Sequence, residues 1–307
     1  MNEAGLIAAL ARRAGAAGLA LGIGDDCAVY SPRGSQDDLL FTTDLLIEGV
    51  HFRRDSHPPA AVGHKALARG LSDIAAMGGE PLFCLLSLSL PVWADPRWRR
   101  GFWRGFFALA RRARVTLAGG DLARANQLTC DIVVCGSAPR GSPLRRDGAR
   151  AGDGIWVSGL LGGAALGLET RRGRAWKRHL RPEPRLALGR YLRARLKATA
   201  AMDLSDGLSI DLHRLCLASG VSARLDRPLP VFPEATLEHA LDGGEDYELL
   251  FTLPSRAKPP AFFEGEPLTR IGTIEPGEKG RVEFFGRRLA AGGWDHFRRP
   301  VGRPLNS

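Results

Sequence analysis

The five cysteines are scattered at positions 27, 84, 130, 135 and 216, and no two form a C-x-x-C pair. That spacing argues against a zinc site or a disulfide framework and leaves the thiols as small buried hydrophobes. Long apolar runs are missing too. The best stretch, residues 83–92, is broken by Ser87, Ser89 and Pro91 and falls short of the ~20 apolar residues a membrane helix needs. Near the N-terminus, acidic Glu3 precedes a helical apolar pattern that ends in Arg12 and Arg13, the reverse of the order in a signal peptide. A cytoplasmic protein with no membrane partner is expected. No G-x-x-x-x-G-K-[ST] loop occurs, and the kinase set of strand Lys, catalytic-loop Asp and D-F-G is absent. Any phosphoryl chemistry must therefore rest on metal ions and arginine.

Acidic residues are outnumbered, and the formal net charge of +10 favours anionic partners. The excess is mostly Arg dispersed along the chain, with no basic-aromatic cluster or recognised nucleic-acid module, so nucleic acid is not an expected partner. A 307-residue chain exceeds what one hydrophobic core usually serves, which predicts two domains of α/β type.

Residues 39–44 form an apolar run closing in Thr42-Thr43-Asp44, which predicts a buried strand with Asp44 at its exit. Residues 64–79 have helical spacing and stop at Gly78-Gly79 before Glu80-Pro81, which puts Asp73 on a helix. Strands are predicted over 83–90, 115–118 and 128–137 and a helix over 96–113, so the first half runs β-β-α-β-α-β-β and belongs to a mixed α+β class. Composition turns to Pro, Gly and Arg around 139–154, where we place the domain boundary, giving domains 1–138 and 139–307. In the second half, 154–159 reads as a strand into a glycine turn, 162–169 and 209–218 as helices, 249–252 as a strand, and the basic stretch 171–181 as a solvent-facing loop.

Asp recurs beside small or hydroxyl residues in Gly24-Asp25-Asp26, Thr42-Thr43-Asp44, Ser72-Asp73, Gly119-Gly120-Asp121 and Asp203-Leu204-Ser205-Asp206-Gly207. Each alone has a plain alternative, a turn or a helix cap. Five together point to a hard cation such as Mg²⁺, which takes oxygen ligands and bridges carboxylates to phosphates. Two glycines before Asp121 would let a phosphate approach the backbone, and the 203–207 turn precedes a helix whose N-terminus attracts anions. Glu245-Asp246-Tyr247-Glu248 packs three acids around an aromatic ring. His51 is a lone histidine in a loop, for which a structural role is the commoner one; Trp294 reads as a docking anchor ahead of a stacking surface, and for Trp103, on a helix, core packing is the default.

In order and spacing, Gly22-Ile23-Gly24-Asp25-Asp26, Thr42-Thr43-Asp44, Gly49-Val50-His51-Phe52, Leu71-Ser72-Asp73-Ile74-Ala75-Ala76-Met77-Gly78, Gly119-Gly120-Asp121, Ser205-Asp206-Gly207-Leu208 and Gly243-Gly244-Glu245-Asp246-Tyr247-Glu248 resemble the thiamine-monophosphate kinase family over nearly the whole chain. The resemblance implies ATP-dependent phosphorylation of thiamine monophosphate to thiamine diphosphate. It implies a two-domain PurM-like architecture, with an N-terminal sheet domain used for homodimerisation and a C-terminal α+β domain. It further implies several Mg²⁺ ions held by Asp26, Thr42, Thr43, Asp44, Asp73, Asp121, Asp203 and Asp206. The nucleotide contacts it implies are Gly120, Asp121, Arg146 and Ser205, and the substrate contacts His51, Glu245 and Trp294. Trp103 stands where the family often has Tyr near adenine. No side-chain nucleophile is expected. The competing readings are another ATP-using PurM-like enzyme and a non-catalytic Mg-nucleotide sensor.

Overall fold

The computed structural model describes residues 3–14 and 17–297. Helix α1 (Glu3–Ala14) has Glu3 in its first turn and Arg12 and Arg13 in its last, the charge order that complements the helix dipole, and buries no side chain. The first half continues as β1 (Ala28–Tyr30), β2 (Asp37–Ile47), α2 (Pro59–Ala76), β3 (Glu80–Leu90), α3 (Pro96–Ala113), β4 (Thr116–Arg124) and β5 (Thr129–Pro139). From β1 onward this is the predicted element order. The strands form one sheet in the order β1-β2-β5-β3-β4, antiparallel except for the β3–β4 pair.

Helices α2 and α3 cover one face of this sheet, and period-2 alternation sends Leu40, Leu46, Leu86, Leu88, Ile132 and Val134 into the core beneath them. The helices approach so closely that a Cβ on Gly105 would overlap the Ala60 carbonyl. Asp95 caps α3 by accepting from the Trp98 N–H at 2.7 Å. The opposite face of the sheet keeps Leu45 and Leu85 exposed, at 46% and 38%.

Two expectations are corrected here. Asp44 lies inside β2, which runs on to Ile47, and Gly119-Gly120-Asp121 lies inside β4 rather than at a strand exit. Gly120 has φ +148°, and a Cβ there would overlap the backbone of Leu86, so the glycine serves the close β3–β4 approach.

Residues 140–153 lead across, through a 3₁₀ turn at Arg146–Gly148, to the second half. It comprises β6 (Gly154–Ser158), α4 (Gly163–Thr170), α5 (Gly173–Leu180), α6 (Leu186–Tyr191), β7 (Ala200–Asp203), α7 (Leu208–Ser219), β8 (Ser222–Leu225), α8 (Leu237–Asp242), β9 (Leu249–Leu253), β10 (Phe262–Phe263), β11 (Glu266–Glu275), β12 (Val282–Phe284) and β13 (Arg287–Arg288). The sheet order is β13-β12-β8-β11-β6-β9-β7, with β10 paired to β11. A third apolar cluster joins the halves: Ala75 and Ala76 of α2 pack with Leu188, Leu192, Ala201 and Phe251. This junction carries Asp73 on α2 toward Asp203 at the end of β7. Among the described residues no helix is long and apolar enough to cross a membrane. The five cysteines are buried and unpaired, as their spacing predicted.

Candidate active site

Three carboxylates converge where the halves meet. Asp26 follows a glycine turn, Asp73 lies on α2 and Asp203 ends β7, and one oxygen from each lies within 4.8 Å of the others. Thr42 donates its hydroxyl hydrogen bond to Asp73 Oδ2, and Ser72 donates to Asp203 Oδ2 at 2.6 Å. Burial, reinforced by neighbouring carboxylates, pushes the Asp73 and Asp203 carboxyls well above their usual range. Asp25 is pushed up to about 7, by burial first and by Asp26 second. Asp26 Oδ2 is buried and has no hydrogen-bond partner among the described residues. Carboxylates this close disfavour joint ionisation, and an orphaned oxygen among them fits a hard divalent cation.

Cations of the chain border the trio. Arg146 pairs with Asp26, and its backbone N–H donates to Asp25 Oδ2 at 3.1 Å. Asp44 pairs with Arg69 at 2.9 Å and Asp206 with Arg214 at 2.5 Å. Asp211, which sequence reasoning missed, organises the 203–207 turn by accepting from the N–H groups of Asp206 and Gly207, each at 3.1 Å. Its signal was present: an acid in the first turn of a helix.

Two of the predicted metal ligands stand apart from the trio. Thr42 and Asp44 share the helix-covered face of the first sheet, so strand alternation turns Thr43 to the other face, where it donates to Asp131 at 2.7 Å. Asp121 lies directly across from Ser87, as Asp131 does, and therefore shares that open face; it is exposed and accepts from the Leu122 N–H at 2.9 Å. Gly120 is beside it on the edge strand. Trp103 packs within the α3 aromatic cluster, edge-on to Phe102 and Phe106 and stacked on Phe107, which is core packing.

A cavity of ≈ 300 Å³ opens beside the trio, walled by Asp44, Asp73 and His51 from the first half and by Asp203, Ser205, Asp206, Glu245 and Trp294 from the second. The Ile47 N–H donates to His51 Nδ1 at 3.0 Å, which places the proton of the neutral ring on Nε2. Nε2 is buried without a partner among the described residues. Burial, with Arg69 nearby, lowers the His51 pKa to about 3, so the ring is neutral and presents one N–H donor. Trp294 is half exposed; its backbone N–H donates to the Asp206 carbonyl at 2.9 Å, and His296 sits edge-on to its ring.

Of the three acids in residues 245–248, only Glu245 faces the cavity. Asp246 accepts from the N–H groups of Gly162 and Ala164, at 2.5 and 3.0 Å. Glu248 is fully buried and accepts from Ser158 Oγ at 2.5 Å, Arg178 at 2.5 Å and Arg185 Nε at 2.8 Å. These anchors hold a loop in which Glu245 and Tyr247 both have positive φ, 68° and 50°. They also correct the reading of 171–181 as a solvent-facing loop. Residues 173–180 form α5, which turns Arg178 toward Glu248 and buries His179.

Residues 24–138 match the family described as AIR synthase related protein, N-terminal domain, and residues 150–284 match AIR synthase related protein, C-terminal domain. The chain is 42% identical over 254 residues to the thiamine-monophosphate kinase of Escherichia coli (strain K12), covering 76% of each chain. It is 38% identical to that of Salmonella typhimurium, covering 91% of this chain and 92% of the relative. The solved structure of AaThiL complexed with AMPPCP and TMP superposes with a TM-score of 0.86 at 34% identity, covering 96% of this chain and 97% of that one.

Proposed function

Because the chain belongs to the thiamine-monophosphate kinase family, we infer that it transfers the γ-phosphoryl group of ATP to thiamine monophosphate, forming thiamine diphosphate and ADP. The observation that carries this reading is the junction cavity, in which a carboxylate trio suited to a cation borders one neutral donor, one carboxylate and one indole. AaThiL, a structural neighbour at 34% identity, was solved with AMPPCP and TMP, which supports the same pair of substrates here.

The acceptor needs no activation by a side chain, since a phosphate monoester is already ionised near neutral pH. One of its oxygens forms the new bond to the γ-phosphorus as the bond to the β–γ bridging oxygen breaks, and ADP departs with that electron pair. The obstacle is repulsion between two anions. Asp26, Asp73 and Asp203, with Thr42, Asp44 and Asp206 at the margin, would hold Mg²⁺, which when bound neutralises phosphate charge and aligns the reactants. We assign Arg146 and Ser205, with Gly120 and Asp121 on β4, to the nucleotide, and Thr43 and Asp121 remain proposed ligands on the open sheet face. His51 donates from Nε2, Glu245 accepts, and Trp294 stacks on the substrate rings.

An assay of ADP release with ATP and Mg²⁺, comparing thiamine monophosphate with free thiamine and identifying the product by chromatography, tests the reading. Thiamine diphosphate formed from the monophosphate is expected; nucleotide binding with no such product overturns it. Trp294→Ala is expected to raise KM for thiamine monophosphate about tenfold or more, because stacking on an aromatic contributes roughly 1–3 kcal/mol, while KM for ATP stays near its parent value. Steady-state kinetics with each substrate varied in turn will show whether the indole acts this way.

The open face of the first sheet, with Leu45 and Leu85 exposed, is where we place a second copy of the chain. Exposed leucines among the polar side chains of this face suit a protein contact. Leu85→Glu is expected to convert a dimer to a monomer by sedimentation, and a parent chain that sediments as a monomer sinks the idea. The cytoplasm, where ATP and its biosynthetic users meet, is the compartment this function implies.

A further inference from the structure

Behind Glu245 lies a set of side chains that neither the metal site nor the substrate contacts account for. Lys65, on α2, is only 1% exposed, and its ammonium donates to Glu245 Oε2 at 2.7 Å and to the His51 carbonyl at 3.3 Å. One buried cation therefore ties together two of the loops that present polar groups to the cavity. Burying an ammonium is costly, and an apolar residue of similar volume would often serve packing as well or better. The arrangement makes physical sense if Glu245 must remain a carboxylate of fixed orientation.

The same oxygen is approached from another side. His179 Nδ1 lies 3.3 Å from Glu245 Oε2, its ring is stacked on Trp176 at 5.2 Å, and His57 Nε2 is 3.2 Å from His179 Nε2. The Arg53 N–H donates to His57 Nδ1 at 3.2 Å, which puts the His57 proton on Nε2. That proton is donated to His179 Nε2, so the His179 proton sits on Nδ1, close to the carboxylate but not aligned to hydrogen-bond it. Burial, aided by Lys65, holds His57 and His179 at about 4 and about 3, so both rings are neutral near pH 7 and the tautomers follow. No described residue bonds to the remaining oxygen of Glu245, Oε1.

We propose that Lys65 and His179 are positioning residues for the acceptor substrate: Lys65 bonds to Oε2 of Glu245, His179 packs against the same oxygen, and Oε1 is left to accept a hydrogen bond from an amino group on the substrate's heterocycle. This rests on the function inferred above. It adds a chemical selection, for an amino-bearing ring over an otherwise identical ring carrying an oxo group, whose oxygen would face a carboxylate oxygen. Glu245 is surrounded by Lys65 and Arg69 of α2, His51 after β2, His57, His179 of α5 and Tyr247 of its own loop, with His296 across the cavity. Burial favours the neutral acid, yet Lys65 and His179 together bring its pKa down to about 2, so the parent carboxylate does not titrate near neutrality.

Lys65→Met keeps the volume and removes the charge. The expected result is a KM for thiamine monophosphate raised about tenfold or more, kcat within about threefold, and KM for ATP unchanged, the pattern of lost substrate binding. In Lys65→Met, KM should also rise relative to the parent's as pH falls from 8 to 6, because burial now raises the Glu245 carboxyl that Lys65 no longer pairs. Lys65→Arg should recover part of the affinity. His179→Phe, which keeps the stack on Trp176, should raise the same KM and reduce the preference for thiamine monophosphate over its 4-oxo analogue. In a Glu245→Gln background neither substitution should add a further effect. A change in kcat alone, equal changes in both KM values, or full additivity with Glu245→Gln overturns the assignment, and His179→Phe decides the matter if Lys65→Met does not fold. Parent activity is measured first: no product there strikes the function itself, whereas an active parent with indifferent variants strikes only this proposal.

Discussion

Asp73→Asn is expected to lower kcat by about three orders of magnitude while leaving the metal-free protein at least as stable as the parent. The two halves of this expectation have one cause. Asp73, Asp26 and Asp203 bring carboxylate oxygens within 4.8 Å of one another, and burial plus their mutual proximity raises the Asp73 carboxyl well above its usual range. Without a cation the site is therefore strained by desolvated, repelling acids, and asparagine relieves that strain at nearly the same volume, still able to accept from Thr42. With a cation the sign reverses, because an amide oxygen offers a dipole where the ion needs a charge. Thermal melts in chelator should place the variant at or above the parent. Melts in Mg²⁺ should show a smaller rise for the variant, and its turnover should be low at every Mg²⁺ concentration. Parent-like turnover would remove Asp73 from the cation site, and a variant that melts far below the parent in chelator would make its role structural.

The second large effect is on stability. Glu248→Ala should cost about 3 kcal/mol, at the lower end for breaking a buried ion pair, because Arg185 and Arg178 keep weaker partners in Glu266 and Asp246, at 3.1 and 3.7 Å. For a chain of this size that corresponds to a fall of roughly 5 °C in Tm. Burial alone would raise the Glu248 carboxyl, but Arg185 and Arg178 outweigh it and hold it below its ordinary 4.5. A carboxyl depressed in the folded state contributes stability that is complete above pH 4.5 and is lost as pH falls through the folded value. The gap in Tm between parent and variant should therefore be widest near neutrality and narrow in acid below about pH 4. Coincident melts at pH 7 would show that the two arginines do not need this partner.

Much of the site could be read from residue types alone. Asp26, Asp73 and Asp203 each lie within two positions of a glycine or serine at a turn, a helix or a strand end, and such positions put carboxylates where other elements can reach them. What was not legible depends on distant partners. Thr43 differs from Thr42 only in strand parity, so the pair could not be separated until β2 was known to run straight through Asp44. Gly119-Gly120-Asp121 looked like a strand exit because glycine usually breaks strands, but here Gly120 permits the close β3–β4 approach and β4 continues to Arg124. Residues 171–181 are so basic that solvent was the natural surrounding. The burial of Arg178 and His179 follows from Glu248, Glu245 and His57, which lie 65 or more positions away. Lys65 was unreadable for the same reason, since a lysine within a helical pattern is ordinarily solvated.

Asp26 and Asp73 come from one core and Asp203 from another, so a cation held by all three would be a cross-link as well as a reagent. Whichever half loosens first takes a ligand away, so ion binding and local opening oppose each other by mass action. Proteolysis acts on opened chains, and cleavage should slow as free Mg²⁺ rises toward saturation. The supply of cation would then govern how long each molecule survives, in addition to how fast it turns over. Digestion rates measured with and without chelator would read that lifetime directly.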